Sequence, residues 1–324
     1  MIRIALLGCG AIGSRHLQAL MRLPMDSEIF VIDPDERSVE IARQRADEVH
    51  SAASIQLRFG DAPDQLPATV DVAIVATSSR HRLPVLRALL ANTGVANLIL
   101  EKVLFQRLED YAEATQLIEH SGSVAWVNCP RRMMQDYAPL EPLLRGHGKI
   151  EYSVIGEGWG LACNAIHFID HLAMYLQCCD FQLDCSALEP VLHQSKRAGY
   201  LELMGTLVAR FANGVGELTM TCQPAETARL TTTIENGRYR LVLHSGEDSA
   251  TVLEKATQQV RTVSLRMEPQ SQLTDQVVTS LLASEHCQLT PYLESARLHR
   301  PLIAGLAKFV GTVSGKEVEV VDIT

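Results

Sequence analysis

Three glycines and one acid near the N-terminus form the clearest chemical pattern in the chain. An apolar run, Ile2 to Leu7, leads into Gly8-Cys9-Gly10-Ala11-Ile12-Gly13, a G-x-G-x-x-G pattern where a buried parallel strand would turn into a helix. Gly8 permits the tight turn, Gly10 removes the side chain that would block a pyrophosphate, and Gly13 lets the helix sit close to the strand. The amides of this turn, those of Ala11 and Ile12 included, would meet the phosphates together with the positive end of the helix dipole. A second apolar run, Ile29-Phe30-Val31-Ile32, ends at Asp33, which is placed to accept both hydroxyls of an adenosine ribose. A ligand-free glycine turn would leave Asp33 unexplained. The expectation is a dinucleotide, NAD before NADP, because a 2′-phosphate would meet the Asp33 carboxylate; Arg37 keeps NADP open.

Further candidates lie downstream. Glu101-Lys102 ends a strand-like run, and ligands of open α/β sheets bind outside such ends. The Lys102 ammonium could hydrogen-bond a hydroxyl or carbonyl and steady charge developing during hydride transfer, although a surface lysine beside its neighbouring acid fits the position equally well. Thr77-Ser78-Ser79, followed by Arg80-His81-Arg82, is expected to face the cofactor, with Thr77, Ser78, His81 and Glu101 among its contacts. Arg131-Arg132 suit an anionic substrate, and Trp159 either lines a pocket or packs. Asn164 reads as a helix N-cap; if the helix starts earlier, Cys163, His167 and Asp170 fall at i, i+4 and i+7 on one face. His167 could then act as general acid or base with Asp170 orienting its ring, against the competing reading of a buried structural pair. No ligand cluster with metal spacing, nucleophile elbow, P-loop or paired-carboxylate motif is present, so no metal is expected.

The elements that must position these residues follow from the apolar pattern. Up to about residue 125, strand-like and helix-like segments alternate: strands at 2–7, 28–32, 55–59, 70–76, 97–100 and 124–127, helices at 14–23, 36–48 (capped by Asp35), 84–91 and 108–120. Solid apolar strands between helices predict a parallel sheet covered on both faces, the doubly wound α/β class. Beyond it come helices at 136–144 and 164–176, strand-like runs at 149–155, 203–211, 215–221, 229–235, 238–243, 250–253 and 260–265, hairpin turns at Asn213-Gly214 and Asn236-Gly237, and helices at 271–282 and 292–313. That pattern predicts an α+β domain on an open, mostly antiparallel sheet. The expected division is 1–123 for the dinucleotide domain and 124–324 for a substrate and oligomerisation domain, whose final helix could pack back on the first.

Bulk properties narrow the function class. A net charge of −9 argues against a nucleic-acid or anionic-membrane partner, and no apolar stretch reaches the ~18 residues that would span a bilayer. With no leader pattern at the N-terminus, a cytoplasmic protein is expected. The eight cysteines lack C-x-x-C spacing and read as ordinary thiols, mostly buried filler.

Together, IALLGCGAIGSRH, VIDPDE, VAIVATSS, EKV after a strand, the asparagine and arginines of VNCPRR, H-x-x-D in AIHFID, and LTPYLESARLHRPLIAGL make the chain resemble the Gfo/Idh/MocA family (glucose–fructose oxidoreductase, inositol dehydrogenase and rhizopine catabolism) over essentially its whole length. The resemblance implies a Rossmann domain followed by an α/β domain whose open sheet often forms an oligomer face, hence a homodimer or homotetramer. It implies hydride exchange between NAD(H) or NADP(H) and a hydroxyl of a sugar, cyclitol or related compound. Lys102 matches the lysine of the family's E-K-P motif, and His167 and Asp170 match the histidine and final acid of D-x-x-x-H-x-x-D. Three residues depart: Val103 stands for the proline, Cys163 for the first aspartate, and Ser78 for the proline of a common Thr-Pro. The Cys163 departure admits a substrate other than a plain sugar ring, Asn164 taking over part of the polar contact, or a dinucleotide-binding sensor without turnover.

Overall fold

The solid apolar runs of the N-terminal part become buried strands, and the turns after them become the edge on which the candidate site lies. The computed structural model describes residues 1–244, 246–284 and 286–324, and of Asn213 and His244 the backbone alone. In chain order, β1 (Ile2–Leu7), α1 (Gly13–Leu20), β2 (Ser27–Ile32), α2 (Glu36–Asp47), β3 (Ile55–Gly60), β4 (Thr69–Val75), α3 (Ser79–Asn92), β5 (Gly94–Leu100), α4 (Leu108–Ser121) and β6 (Val124–Val127) alternate. There follow α5 (Glu141–Leu144), β7 (Ile150–Glu157), α6 (Leu161–Leu176), β8 (Phe181–Leu188), β9 (His193–Gln194), β10 (Leu201–Glu202), β11 (Gly205–Phe211) and β12 (Gly216–Gln223). The remainder is β13 (Arg229–Glu235), β14 (Tyr239–His244), β15 (Ser249–Glu254), β16 (Gln259–Ser264), α7 (Thr274–Ser284), β17 (Thr290–Pro291) and α8 (Tyr292–Ser314).

The chain divides into two compact units: Met1–Phe105, Glu109–Met133 and Glu268–Leu293 in the first; Gln106–Leu108, Met134–Met267 and Glu294–Thr324 in the second. The first holds a sheet in the order β17-β6-β5-β4-β1-β2-β3, parallel throughout except for β17 at its edge. From β3 to β6 this is the 3-2-1-4-5-6 order of a Rossmann fold. β6, which begins after position 123, pairs with β5 and so lies in this unit. The second unit holds an eight-stranded sheet, β16-β15-β14-β13-β7-β12-β11-β8, in which only β7–β12 is parallel. The α/β class with a second, mostly antiparallel sheet is therefore as expected.

Local chemistry explains the boundaries. The Asp35 carboxylate caps α2, accepting from the amides of Arg37 and Ser38 at 3.3 and 3.2 Å. The Asn236-Gly237 turn joins β13 to β14, with the Asn236 side-chain oxygen accepting from the amides of Arg238 and Tyr239. Asn213-Gly214 forms a 3-10 turn between β11 and β12. Four expectations need correction. α3 starts at Ser79, not Pro84, because the buried Arg82 guanidinium fastens this turn to the carbonyls of Thr77, Val103 and Leu104. The stretch 136–144 is a 3-10 segment, Gln135–Leu140, running into the one-turn α5, with Pro139 inside the first and Pro142 at the start of the second. β8 escaped notice because it is an edge strand whose residues show no clean alternation of burial. Of the eight cysteines, none in a disulfide, Cys9, Cys129, Cys222 and Cys287 are buried and the other four half-buried, so half, not most, fit the filler reading.

Gly13 sets the approach of α1 to the β1 turn. A Cβ built there would lie 1.9 Å from the Gly8 carbonyl oxygen, a backbone atom with nowhere to go. Gly13→Ala is therefore expected to lower stability by about 2 kcal/mol or more through overpacking, read as a drop in the urea midpoint at constant slope; an unchanged midpoint would show that the turn can open freely.

Candidate active site

The parallel ladder runs past the strand ends and carries the site residues with it. Gly8 N–H donates to Ile32 O (2.8 Å), Asp33 N–H to Gly60 O (3.0 Å), Ala76 N–H to Leu7 O (2.8 Å), Glu101 N–H to Val75 O (3.1 Å) and Asn128 N–H to Leu100 O (2.8 Å). The residues just beyond β1, β2, β4, β5 and β6 are thus held by the sheet along its C-terminal edge, where open α/β sheets bind ligands.

The residues at that edge fit a dinucleotide. Gly8 adopts a φ of +87°, and a Cβ on it would meet the Thr77 amide nitrogen at 2.8 Å. A Cβ on Gly10 would meet nothing within 4 Å, so the approach over that residue is open. The first amide of this turn to find an intrahelical acceptor is that of Ser14, on Gly10 O at 3.0 Å, and helix starts leave the preceding N–H groups for an anion. The half-buried Asp33 carboxylate accepts from Cys9 N–H at 2.7 Å through one oxygen and from Asp35 N–H at 2.9 Å through the other. An ionised carboxylate offers about four acceptor positions, more than these two amides take up. Burial and then the Asp33 charge push the neighbouring Cys9 thiol up to about 12, which keeps it protonated and inert beside the carboxylate. Ser78 is half-buried as the residue before α3, while His81 sits in the helix's first turn, exposed, its amide on Ser78 O.

Lys102 is half-buried at the same edge, between two anchors. Before it, Glu101 is 4% exposed and its Oε1 accepts from Asn128 Nδ2 and, at 3.0 Å, pairs with His16 Nε2. Beyond it, the Lys102–Val103 peptide is cis, and Arg82 donates to the carbonyls of Val103 and Leu104. Burial alone would push the Glu101 carboxyl up, but the His16 hydrogen bond and charge, the Asn128 amide and the Lys102 charge outweigh it and hold the group below the ordinary glutamate value. Arg131 and Arg132 follow β6 in a 3-10 turn, Pro130–Met133, both half-buried.

With this geometry in view, residues 2–129 match the model of the Gfo/Idh/MocA family, an oxidoreductase family with an NAD-binding Rossmann fold. Over those residues the chain is similar to the Gfo/Idh/MocA Rossmann domain. No curated protein matches the chain by sequence. In fold it is similar to UDP-N-acetylglucosamine 3-dehydrogenase from Acidithiobacillus ferrooxidans (14% identity, 94% of this chain and 96% of that one, TM-score 0.72). It is also similar to a Gfo/Idh/MocA family oxidoreductase from Vibrio cholerae (17%, 98% and 100%, 0.69) and to biliverdin reductase from Synechocystis in complex with biliverdin and NADP+ (13%, 94% and 97%, 0.66). The cofactor class is thus a nicotinamide dinucleotide.

In the second unit α6 carries the remaining candidates. The helix starts at Leu161 after Gly160 in the left-handed region (φ 79°), so Asn164 is not its N-cap. The Asn164 amide instead reaches back to the carbonyls of Trp159 (2.7 Å) and Gly160 (3.1 Å). The capping acceptor comes from elsewhere: Glu202 Oε1, at the end of β10, accepts from Ala162 N–H at 2.6 Å and from Leu203 N–H at 3.0 Å. Cys163, Asn164 and His167 share a half-buried stripe, while Asp170 is fully buried one turn beyond His167. The Trp159 indole packs: it is 9% exposed, donates to Thr221 O at 2.9 Å and lies edge-on to Phe168. Among the described residues no group of three or more His, Cys, Asp or Glu could hold a metal ion, and no helix is long and apolar enough to cross a membrane.

Residue reading passed over His16, Gln270 and Thr274, which surround Glu101, and it passed over Glu202 and the buried role of Arg82. His16 lies three residues after Gly13, which was the one available signal; the others reach their partners from distant parts of the chain.

The depressed Glu101 pKa fixes a sign. The unfolded chain takes up the proton first, near the ordinary value of 4.5, and the folded protein only at lower pH. The stability Glu101 contributes is complete above that value and falls as pH drops through the folded pKa. Between pH 5 and 3, Glu101→Gln should lose stability with a shallower slope than wild type in urea melts; parallel slopes would remove Glu101 from the acid transition.

Proposed function

We propose that this chain is an NAD(P)-dependent oxidoreductase, moving a hydride between nicotinamide and a hydroxyl or keto carbon of a sugar, cyclitol or sugar derivative. The observation that supports it is Lys102: a half-buried ammonium on the C-terminal edge of an NAD-binding Rossmann sheet, fixed on one side by the Glu101 anchor and on the other by Arg82. When bound, the nicotinamide supplies or accepts the hydride. The protein's share is then proton and charge management. Lys102 donates to the reacting oxygen and steadies the charge that develops on it. Asp33 takes the ribose hydroxyls, and the open approach over Gly10 admits the pyrophosphate.

On the second unit, His167 is assigned as the other proton-transfer group, with Asp170 setting its ring, by resemblance to the family pattern. Arg131 and Arg132 suit a substrate with an acidic group. With Cys163 where the family has a carboxylate, a derivatised substrate is favoured over an unmodified polyol ring, because a thiol is a weak acceptor for hydroxyl donors. We place subunit association on the open sheet of the second unit, as a homodimer or homotetramer.

Two variants test this reading. Lys102→Ala is expected to lower kcat by roughly 10²–10⁴-fold while leaving the NADH dissociation constant, measured by nicotinamide fluorescence, within about twofold; undiminished turnover would take Lys102 out of the chemistry. Asp33→Ala is expected to narrow the ratio of NADP to NAD dissociation constants, and an unchanged ratio would count against Asp33 as the ribose acid. The substrate class follows from NADH appearance across sugars, uronic acids, cyclitols and nucleotide sugars. Tight dinucleotide binding with no turnover anywhere in that panel would mark a sensor.

A further inference from the structure

Two side chains of the first unit hold the carbonyls of the glycine turn. Ser14 is fully buried, and its hydroxyl donates to Gly10 O at 2.7 Å, the same carbonyl that accepts the Ser14 N–H at 3.0 Å. Arg45, half-buried in the last turn of α2, donates through Nη1 to Ala11 O at 3.1 Å and to Ser14 Oγ. Arg15 N–H, which in a regular helix would take Ala11 O, takes Ile12 O at 2.9 Å. Ser14 Oγ also lies 3.4 Å from Ala11 O, but its single proton serves the nearer Gly10 O. The donor left for Ala11 O is therefore the Arg45 guanidinium. Among the described residues no carboxylate pairs with Arg45, so both of its bonds are spent on this turn.

Peptide geometry carries those bonds over to the N–H groups. In a trans peptide the C=O and the following N–H lie in one plane and point in opposite directions. Both peptides here are trans. Holding Gly10 O against Ser14 thus aims the Ala11 N–H away from α1, and holding Ala11 O against Arg45 aims the Ile12 N–H away from α2. Among the described residues neither amide has an acceptor, and the space over Gly10 is open.

We propose that Arg45 and Ser14 are positioning residues for the pyrophosphate of the dinucleotide: by holding the Ala11 and Gly10 carbonyls back they present the Ile12 and Ala11 N–H groups to the phosphate oxygens. The two peptides stand in their binding orientation before a ligand arrives, so little ordering is left for binding to impose. This inference rests on the reading of the turn as the phosphate site. The competing role for Arg45 is to tie α2 to α1, a duty that Gln18 also performs by donating to Glu48 at 2.7 Å.

Dissociation constants of ADP-ribose and of adenosine, measured on the full-length protein by calorimetry and ligand-observed NMR, test the proposal. Arg45→Met is expected to loosen ADP-ribose by roughly tenfold, as befits hydrogen bonds to a charged group, and to leave adenosine, which has no phosphate, at its wild-type value. Ser14→Ala is expected to act in the same direction on ADP-ribose alone. Glu48→Ala, which cuts the other tie between the same helices, is expected to change neither constant. The Arg45→Met loss is expected to persist from about 0.05 to 0.5 M NaCl, whereas the influence of a distant charge would be screened away. Unchanged ADP-ribose affinity in Arg45→Met with native circular dichroism overturns the proposal. So does an equal loss for adenosine, an equal loss in Glu48→Ala, or a loss that vanishes at high salt. If Arg45→Met fails to fold, Ser14→Ala decides by the same comparisons. A wild type that binds neither ADP-ribose nor NADH would fail the dinucleotide reading and the proposal together; a wild type that binds both, beside an Arg45→Met of equal affinity, fails the positioning alone.

Discussion

A carboxylate that is 4% exposed cannot stand by itself, and the first unit is arranged around that fact at Glu101. An unpaired ion would cost several kcal/mol to bury, so its partners must be in place whenever the sheet is formed. Its direct partners are His16 of α1 and Asn128 after β6, and these are bonded in turn by Thr274 and Gln270. Burial of one charge therefore ties the glycine-rich turn's helix, the strand carrying Lys102 and a segment more than a hundred residues downstream into a single polar assembly. The glutamate also remains ionised, because its partners favour the charged form more than burial disfavours it.

Around that anchor the parallel ladder does the spatial work. Each backbone bond just past a strand end adds one residue of order, and those residues are Gly8, Asp33, Ala76, Glu101 and Asn128. Close packing fills in the rest. Gly8 lies against Thr77 and Gly13 against Gly8, whereas Gly10 faces open space. Three glycines of one motif thus stand in three different settings: positive φ with a close neighbour, helix approach, and open space over the turn.

The second unit solves a different problem. α6 begins after a left-handed glycine with no capping side chain of its own, and the Glu202 carboxylate supplies the missing acceptor from β10. Asn164, free of the capping duty, ties down the preceding loop instead. A carboxylate thus stands at the start of the helix even though position 163 is a cysteine, and its present duty there is to cap.

Local pattern carried the architecture far. The alternation of solid apolar runs and helices matches the doubly wound sheet, the Asn-Gly turn at 236 joins a hairpin, and Gly8 and Asp33 both fall on the C-terminal edge of that sheet. Each of these features depends on residues within a few tens of positions of one another, or on burial that repeats along one strand. The start of α3, the cap of α6 and the ring around Glu101 were decided in three dimensions, because Arg82, Glu202, Gln270 and Thr274 act on residues far from them in the chain. A buried polar side chain has no periodicity to announce its partner; its place is settled only when the fold removes water and leaves it one set of donors and acceptors to satisfy.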